Sequence, residues 1–298
     1  MSLESLDWTA ILRFPLEWAA LALFAAACIT WERAGASGLG VEGCAAAAAI
    51  GLVLGYEWTG SYPLAVLIGA GGAVAFAAIS GILLQLLRPD HAVGTFCLSL
   101  VPICGLGLLM RAGPYQLLQA ATPPGIVRGT VLEGTASEEL LMNPVLWSAP
   151  VVVALAAWTL WQTPFGLRLR AFGEAPSLRL PGARAGAYRF TGLVLGALWA
   201  VPGAALLLSA HRASPPMGVT YLALACVIAS RWSLALSILL AAGPALLRAA
   251  RPAVEGTGYE LGLETAPYLL ALLYLMLLSR RALRMPESAR TRVDPDVL

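Results

Sequence analysis

The sequence predicts an all-α, polytopic integral membrane protein with about nine helical segments. Three observations carry this. The 298 residues are 59% hydrophobic, with a mean hydropathy of +0.77. Only 12% are charged, against roughly 25% in an ordinary soluble domain. The charges also leave gaps: 64–84, 92–110, 190–209 and 265–279 contain no Asp, Glu, Lys or Arg. A hydrocarbon core about 30 Å thick needs roughly 20 apolar residues of helix to cross it. Helix is the fold of these runs because backbone groups in lipid must be satisfied within the segment, and the roughly 10-residue alternation of a membrane β-barrel is missing.

In chain order the segments are 14–31, 42–57, 63–87, 92–110, 146–162, 190–209, 217–230, 232–249 and 264–281. Segment 217–230 is short for a full crossing, so it is either a short crossing helix or a re-entrant one. The arginines set a direction, since all 19 basic residues are Arg. If every segment crosses and 163–189 is cytoplasmic, thirteen arginines lie inside and six outside, as the positive-inside rule requires. The N-terminus is then outside. The C-terminal tail, with Arg280, Arg281, Arg284, Arg290 and Arg292, is inside only if 217–230 crosses, which favours the crossing reading. Residues 1–298 read as a single membrane domain, with an external loop at 111–145 and a basic cytoplasmic loop at 163–189.

Several function classes fall away. A net charge of +2 offers nucleic acid no footprint. The two histidines, His91 and His211, sit at predicted membrane edges, and no zinc-protease helix motif, nucleophile elbow or phosphate loop ending in Gly-Lys occurs. A membrane-embedded enzyme is thus the weaker reading. Cys28, Cys44, Cys97, Cys104 and Cys226 form no C-x-x-C pair and read as small packing residues. Ala25–Cys28 has a lipoprotein-like look, but Glu4 and Asp7 stand where a signal peptide is positive.

Two stretches carry chemistry. Gly35, Gly38, Gly40 and Gly43 fall within nine residues, too many for a continuous helix. A break there exposes the N-terminus of the 42–57 helix, a place that binds polar groups and, in transporters, lines the substrate path. Glu42 either faces such a path or caps the helix start, with the glycines allowing close packing. The second stretch is Thr163-Pro164-Phe165-Gly166-Leu167-Arg168-Leu169-Arg170-Ala171-Phe172-Gly173-Glu174-Ala175-Pro176, in which glycine and proline frame a short basic helix.

That second stretch resembles the cytoplasmic loop of bacterial ABC-importer permeases for branched-chain amino acids, simple sugars and nucleosides, of pattern T-x-x-G-x-x-L/I-R-A-x-G-E-N-P, with Ala175 in place of Asn. Glu32-Arg33-Ala34-Gly35-Ala36-Ser37-Gly38-Leu39-Gly40-Val41-Glu42-Gly43 is similar to the E-R-x-G-v-x-N-L-G-I-E-G signature of the nucleoside type, with Gly38 for Asn. Gly218-Val219-Thr220-Tyr221 resembles the family's G-x-G-y, with Thr220 for Gly, and Ala266-Pro267-Tyr268 its last-span P-Y. The matches run from about Glu32 to Arg284 and point to the shorter permease subunit.

The resemblance implies a permease for nucleosides or a related small polar solute, with branched-chain amino acids or simple sugars as alternatives. It implies a substrate path at Gly38, Gly40, Glu42, Gly43, Gly218, Thr220 and Tyr221. It implies an ATPase-coupling helix at Arg168, Arg170, Gly173, Glu174, Ala175 and Pro176. No catalytic residue, metal or cofactor is expected on this chain; ATP and Mg belong to a separate cytosolic ATPase subunit. The other implied partners are a second, related permease and an extracytoplasmic substrate-binding (lipo)protein, in the lipid of a bacterial cytoplasmic (inner) membrane.

Overall fold

The computed structural model describes residues 13–87, 91–111, 144–174, 185–210, 218–251 and 260–278. They form ten α-helices and one 3-10 turn, and no strand occurs among them. In order these are α1 (Phe14–Arg33), the 3-10 turn Gly38–Gly40, α2 (Val41–Thr59), α3 (Tyr62–Leu87), α4 (His91–Arg111), α5 (Pro144–Gln162), α6 (Pro164–Glu174), α7 (Ala185–Ala210), α8 (Val219–Ala229), α9 (Leu234–Ala250) and α10 (Glu260–Leu278). Each of the nine expected segments coincides with one helix. The tenth, α6, is the short basic helix of the 163–189 loop.

Among the described residues, six segments are long and apolar enough to cross a membrane: Phe14–Arg33, Gly38–Thr59, Tyr62–Leu84, Ala92–Arg111, Pro144–Trp161 and Ala185–Leu208. They fall into two layers. The windows of α1, α2 and α7 are mostly buried, whereas few residues in those of α3, α4 and α5 are. The exposed side chains of the outer layer are apolar, including Leu67, Ile79, Val101, Leu108, Trp147 and Val151, which suits a hydrocarbon solvent. The inner layer is rich in alanine: Ala20, Ala25, Ala26, Ala27, Ala48, Ala197 and Ala200 are fully buried. Small side chains let helix backbones approach closely where lipid removes any hydrophobic drive to associate.

α8 is short, as expected for 217–230. It has 11 residues, about 16 Å at 1.5 Å per residue, half of a hydrocarbon core. A straight crossing is beyond its length. Gly218, at φ +86°, starts it, and Arg231 and Trp232, at φ +56° and +61°, turn the chain into α9. Two successive non-glycine residues in the left-handed region are costly and persist only where neighbours hold them.

Candidate functional site

The glycine-rich break is real. α1 ends at Arg33, Gly35 takes φ +86°, and Ser37 is extended. The Ser37 hydroxyl accepts from Leu39 N over 3.4 Å and caps the 3-10 turn. The glycines serve close approach. A Cβ on Gly38 would stand 2.7 Å from Leu224 Cδ1, and one on Gly43 would stand 2.9 Å from Ser99 Cα and overlap the Phe76 ring. Gly40 lies flat on Trp31, where a Cβ would overlap the indole. Trp31 is fully buried and donates from Nε1 to Leu193 O over 2.9 Å. Gly196 of α7 presses on the same ring from another side. One tryptophan thus fixes α1, the break and α7 together.

Glu42 sits beside this break and points away from it, to the head of α8. Its Oε1 accepts from Gly218 N at 2.7 Å. Its Oε2 accepts from Thr220 N at 3.1 Å and from Thr220 Oγ1 at 2.5 Å. A carboxylate taking two N–H groups at a helix start satisfies orphan donors and meets the positive end of the helix dipole. The expected helix-terminus site therefore exists, but at α8 rather than at the 42–57 helix, and Glu42 fills it. The carboxylate also borders a cavity of about 30 Å³ with Phe24, Ala45, Ala49, Leu106 and Leu207. That is room enough for a water molecule. Phe24 lies midway along α1, so Glu42 sits deep along the bundle.

A second carboxylate holds the other end of α8. Glu32, buried at the last turn of α1, accepts from Gly38 N over 3.3 Å and from Trp232 Nε1. Trp232 belongs to the left-handed turn after α8, where Ser230 and Ser237 hydroxyls also meet at 2.6 Å. α8 is therefore clamped between two carboxylates that flank the break. Sequence reasoning quoted Glu32 only as part of a motif. It also missed Glu17, buried in α1, whose Oε2 accepts from Arg248 Nε of α9 over 2.9 Å. The available signal was opposite charges inside two predicted spans, since intramembrane charges pair or serve a function.

Of the remaining predicted path residues, Tyr221 lies half-buried beside Phe96, with ring centroids 6.4 Å apart. Ser99 of α4, fully buried, donates its hydroxyl to Phe96 O at 2.7 Å. The structure gathers Gly38, Glu42, Gly218, Thr220 and Tyr221 around α8, while Gly40 is turned to Trp31 and Gly43 to Phe76 and Ser99.

The expected coupling residues lie elsewhere, on α6. The Thr163 hydroxyl accepts from Gly166 N at 3.1 Å, which starts this helix. Leu169 and Phe172 are buried, while Leu167, Arg168 and Glu174 are exposed. Phe172 and Phe165 pack on Tyr188 at centroid distances of 5.6 and 5.5 Å. Arg168 Nη1 donates to Tyr188 Oη at 2.7 Å, and its guanidinium lies over the same ring. Arg33 Nη1 meets Glu174 Oε1 at 2.6 Å. Gly173 is close enough to α1 that a Cβ would stand 2.6 Å from Arg33 O. Arg170 is half-buried on the same helix. Ala175 and Pro176 lie outside the described residues, as do His211 and most of loop 111–145.

No family model and no solved structure matches the chain. A curated relative does: it is 29% identical over 227 residues to the nucleoside ABC transporter permease protein NupC of Lactococcus lactis subsp. cremoris, covering 68% of this chain and 69% of that protein. With the motifs at 32–43 and 163–174 and six helices fit to cross a bilayer, the chain is a multi-pass protein of the bacterial inner membrane, similar to the nucleoside-type ABC transporter permeases.

Proposed function

We propose that the chain is the permease subunit of an ATP-driven importer and forms half of a substrate path for nucleosides or a related small polar solute. ATP is hydrolysed on a separate cytosolic ATPase subunit. A second, related permease completes the path, and an extracytoplasmic binding protein delivers the solute.

The observation that carries this reading is the placement of α6. Its buried face rests on the end of α1 and the start of α7, and its other face presents Leu167, Arg168 and Glu174. An exposed apolar residue flanked by charges suits a groove on a soluble partner. From α6 a chain of contacts leads inward. Glu174 grips Arg33, the next residue, Glu32, grips the turn at Trp232, and that turn ends α8. A push on α6 by the ATPase reaches α8 through one turn of α1. Packed, discrete contacts of this kind are what carry coupling between sites.

The test is Leu167→Asp in cells carrying the whole transport system. A charge at the centre of the docking face should abolish nucleoside uptake and co-purification of the ATPase. The amount of permease in the membrane should stay unchanged, because Leu167 is exposed. Full uptake in that variant would sink the coupling role of α6.

A further inference from the structure

We propose that Phe96, Tyr221 and Tyr268 form an aromatic platform in the path, on which the planar base of a nucleoside stacks. The inference rests on the nucleoside reading and adds Phe96 and Tyr268 to the site. Three helices each send one ring to the head of α8. Phe96 of α4 and Tyr221 of α8 are 6.4 Å apart and inclined by 41°. From the point where a Cβ on Gly218 would stand, Tyr268 Oη of α10 is 3.1 Å away and Tyr221 Cδ2 is 3.9 Å away. Gly218 leaves the space in which the rings of α8 and α10 approach.

The platform is open. Phe96 is 40% and Tyr268 41% exposed. It is also deep: Gly218 is tied to Glu42, which borders the same small cavity as Phe24, midway along α1. Tyr268 itself lies near the middle of α10. A tyrosine 41% exposed at that depth carries a polar hydroxyl that hydrocarbon cannot satisfy, at a cost of kilocalories where no protein group does. It loses nothing if it faces a wet path. The exposed large hydrophobics that follow Tyr268 on α10, among them Leu269, Leu272, Leu273 and Met276, are aliphatic or a thioether, as lipid requires, whereas Glu264 and Thr265, one turn before it, are exposed and polar. Tyr268 stands where the polar stretch gives way to the apolar one.

The chemistry fits a base. Aromatic side chains stack on every nucleobase, because each has a π face, so a path built this way accepts purines and pyrimidines alike. The Tyr221 and Tyr268 hydroxyls supply hydrogen-bonding groups at the edge. The Glu42 carboxylate is a positioning group here: bound to Gly218 and Thr220, it fixes the residue that precedes Tyr221 and does not touch the solute.

The experiment measures initial uptake of labelled uridine, adenosine, ribose and leucine by cells with the complete system, for wild type and for Phe96→Leu, Tyr268→Leu and Tyr268→Phe. Removing one ring should cut uptake of both nucleosides at sub-saturating concentration by about tenfold, as loss of one base–aromatic stack does. Tyr268→Phe should keep most of it, and ATPase co-purification should be unchanged in all three. Unchanged nucleoside uptake in both leucine variants overturns the platform. So does an uptake loss matched by an equal loss of co-purified ATPase, which marks a structural role. A wild type that takes up ribose or leucine but no nucleoside overturns the nucleoside reading itself, and the platform with it.

Discussion

Glu42 closes the N-terminus of a helix that begins 176 residues later, its Oε1 accepting from Gly218 N at 2.7 Å. It ties the first third of the chain to the last, as Glu32–Trp232 and Glu17–Arg248 also do. Charge-assisted bonds of this kind are roughly twice as strong as neutral ones. In a bilayer the alternative partner, water, is scarce.

Glu42→Ala strands the N–H groups of Gly218 and Thr220 together with the Thr220 hydroxyl. An unsatisfied buried donor costs about 1–3 kcal/mol, so the variant should melt well below wild type in detergent. Glu42→Gln keeps one acceptor oxygen and should lose less. Equal melting of Glu42→Ala and wild type would show that α8 is not held there.

Gly40→Ala and Gly196→Ala each drive a methyl into the Trp31 indole. Overpacking of this kind costs about 1–3 kcal/mol, and both variants should lower thermal stability and uptake together. Trp31→Leu in the Gly40→Ala background should restore part of the stability, because it removes the obstructing ring. A double variant that melts below both single variants would refute the steric account.

Much of the fold is legible in the sequence because lipid is a demanding solvent. A run of apolar residues has one solution there, a helix, and each of the nine segments became one. The Gly-x-x-Gly break and α6 are legible too, from glycine, proline and charge. What holds them is not. Nothing near Glu42 points to Gly218, and nothing near Glu32 points to Trp232, since pairing across 176 or 200 positions leaves no local trace. The break suggested a vacant terminus at its own helix; the fold instead brings its carboxylate to a different one. The short length of 217–230 was visible, but the two left-handed residues that end α8, Arg231 and Trp232, carry no glycine to announce them.

Arg33 and Glu174 form the one described side-chain ion pair between α6 and α1. Glu174 is 63% exposed in its side chain, so the pair is worth about 0–1 kcal/mol. Glu174→Ala should therefore leave the melting temperature within a degree or a few of wild type while lowering uptake. Gly173→Ala should do the opposite in rank: it forces α6 away from Arg33 O and should cost stability first. A large fall in melting temperature for Glu174→Ala would reassign that residue to scaffolding.

Glu32 and Trp232 should behave as a coupled pair. The indole donates to a buried carboxylate, and the bond holds a turn in which two residues are strained. Trp232→Phe removes the donor and keeps the ring. Glu32→Gln keeps an acceptor and removes the charge that makes the bond strong. If the bond fixes the end of α8, each single variant should lose stability and the double variant should lose less than their sum. Residues in direct contact show interaction energies of about 0.5–3 kcal/mol. The same cycle read on uptake separates two roles for the bond. A coupling energy seen in melting but absent from uptake makes it scaffold alone. A coupling energy seen in both, with ATPase co-purification intact, places the bond on the route by which motion of α6 reaches α8, since Glu32 is adjacent to the Arg33 that α6 grips.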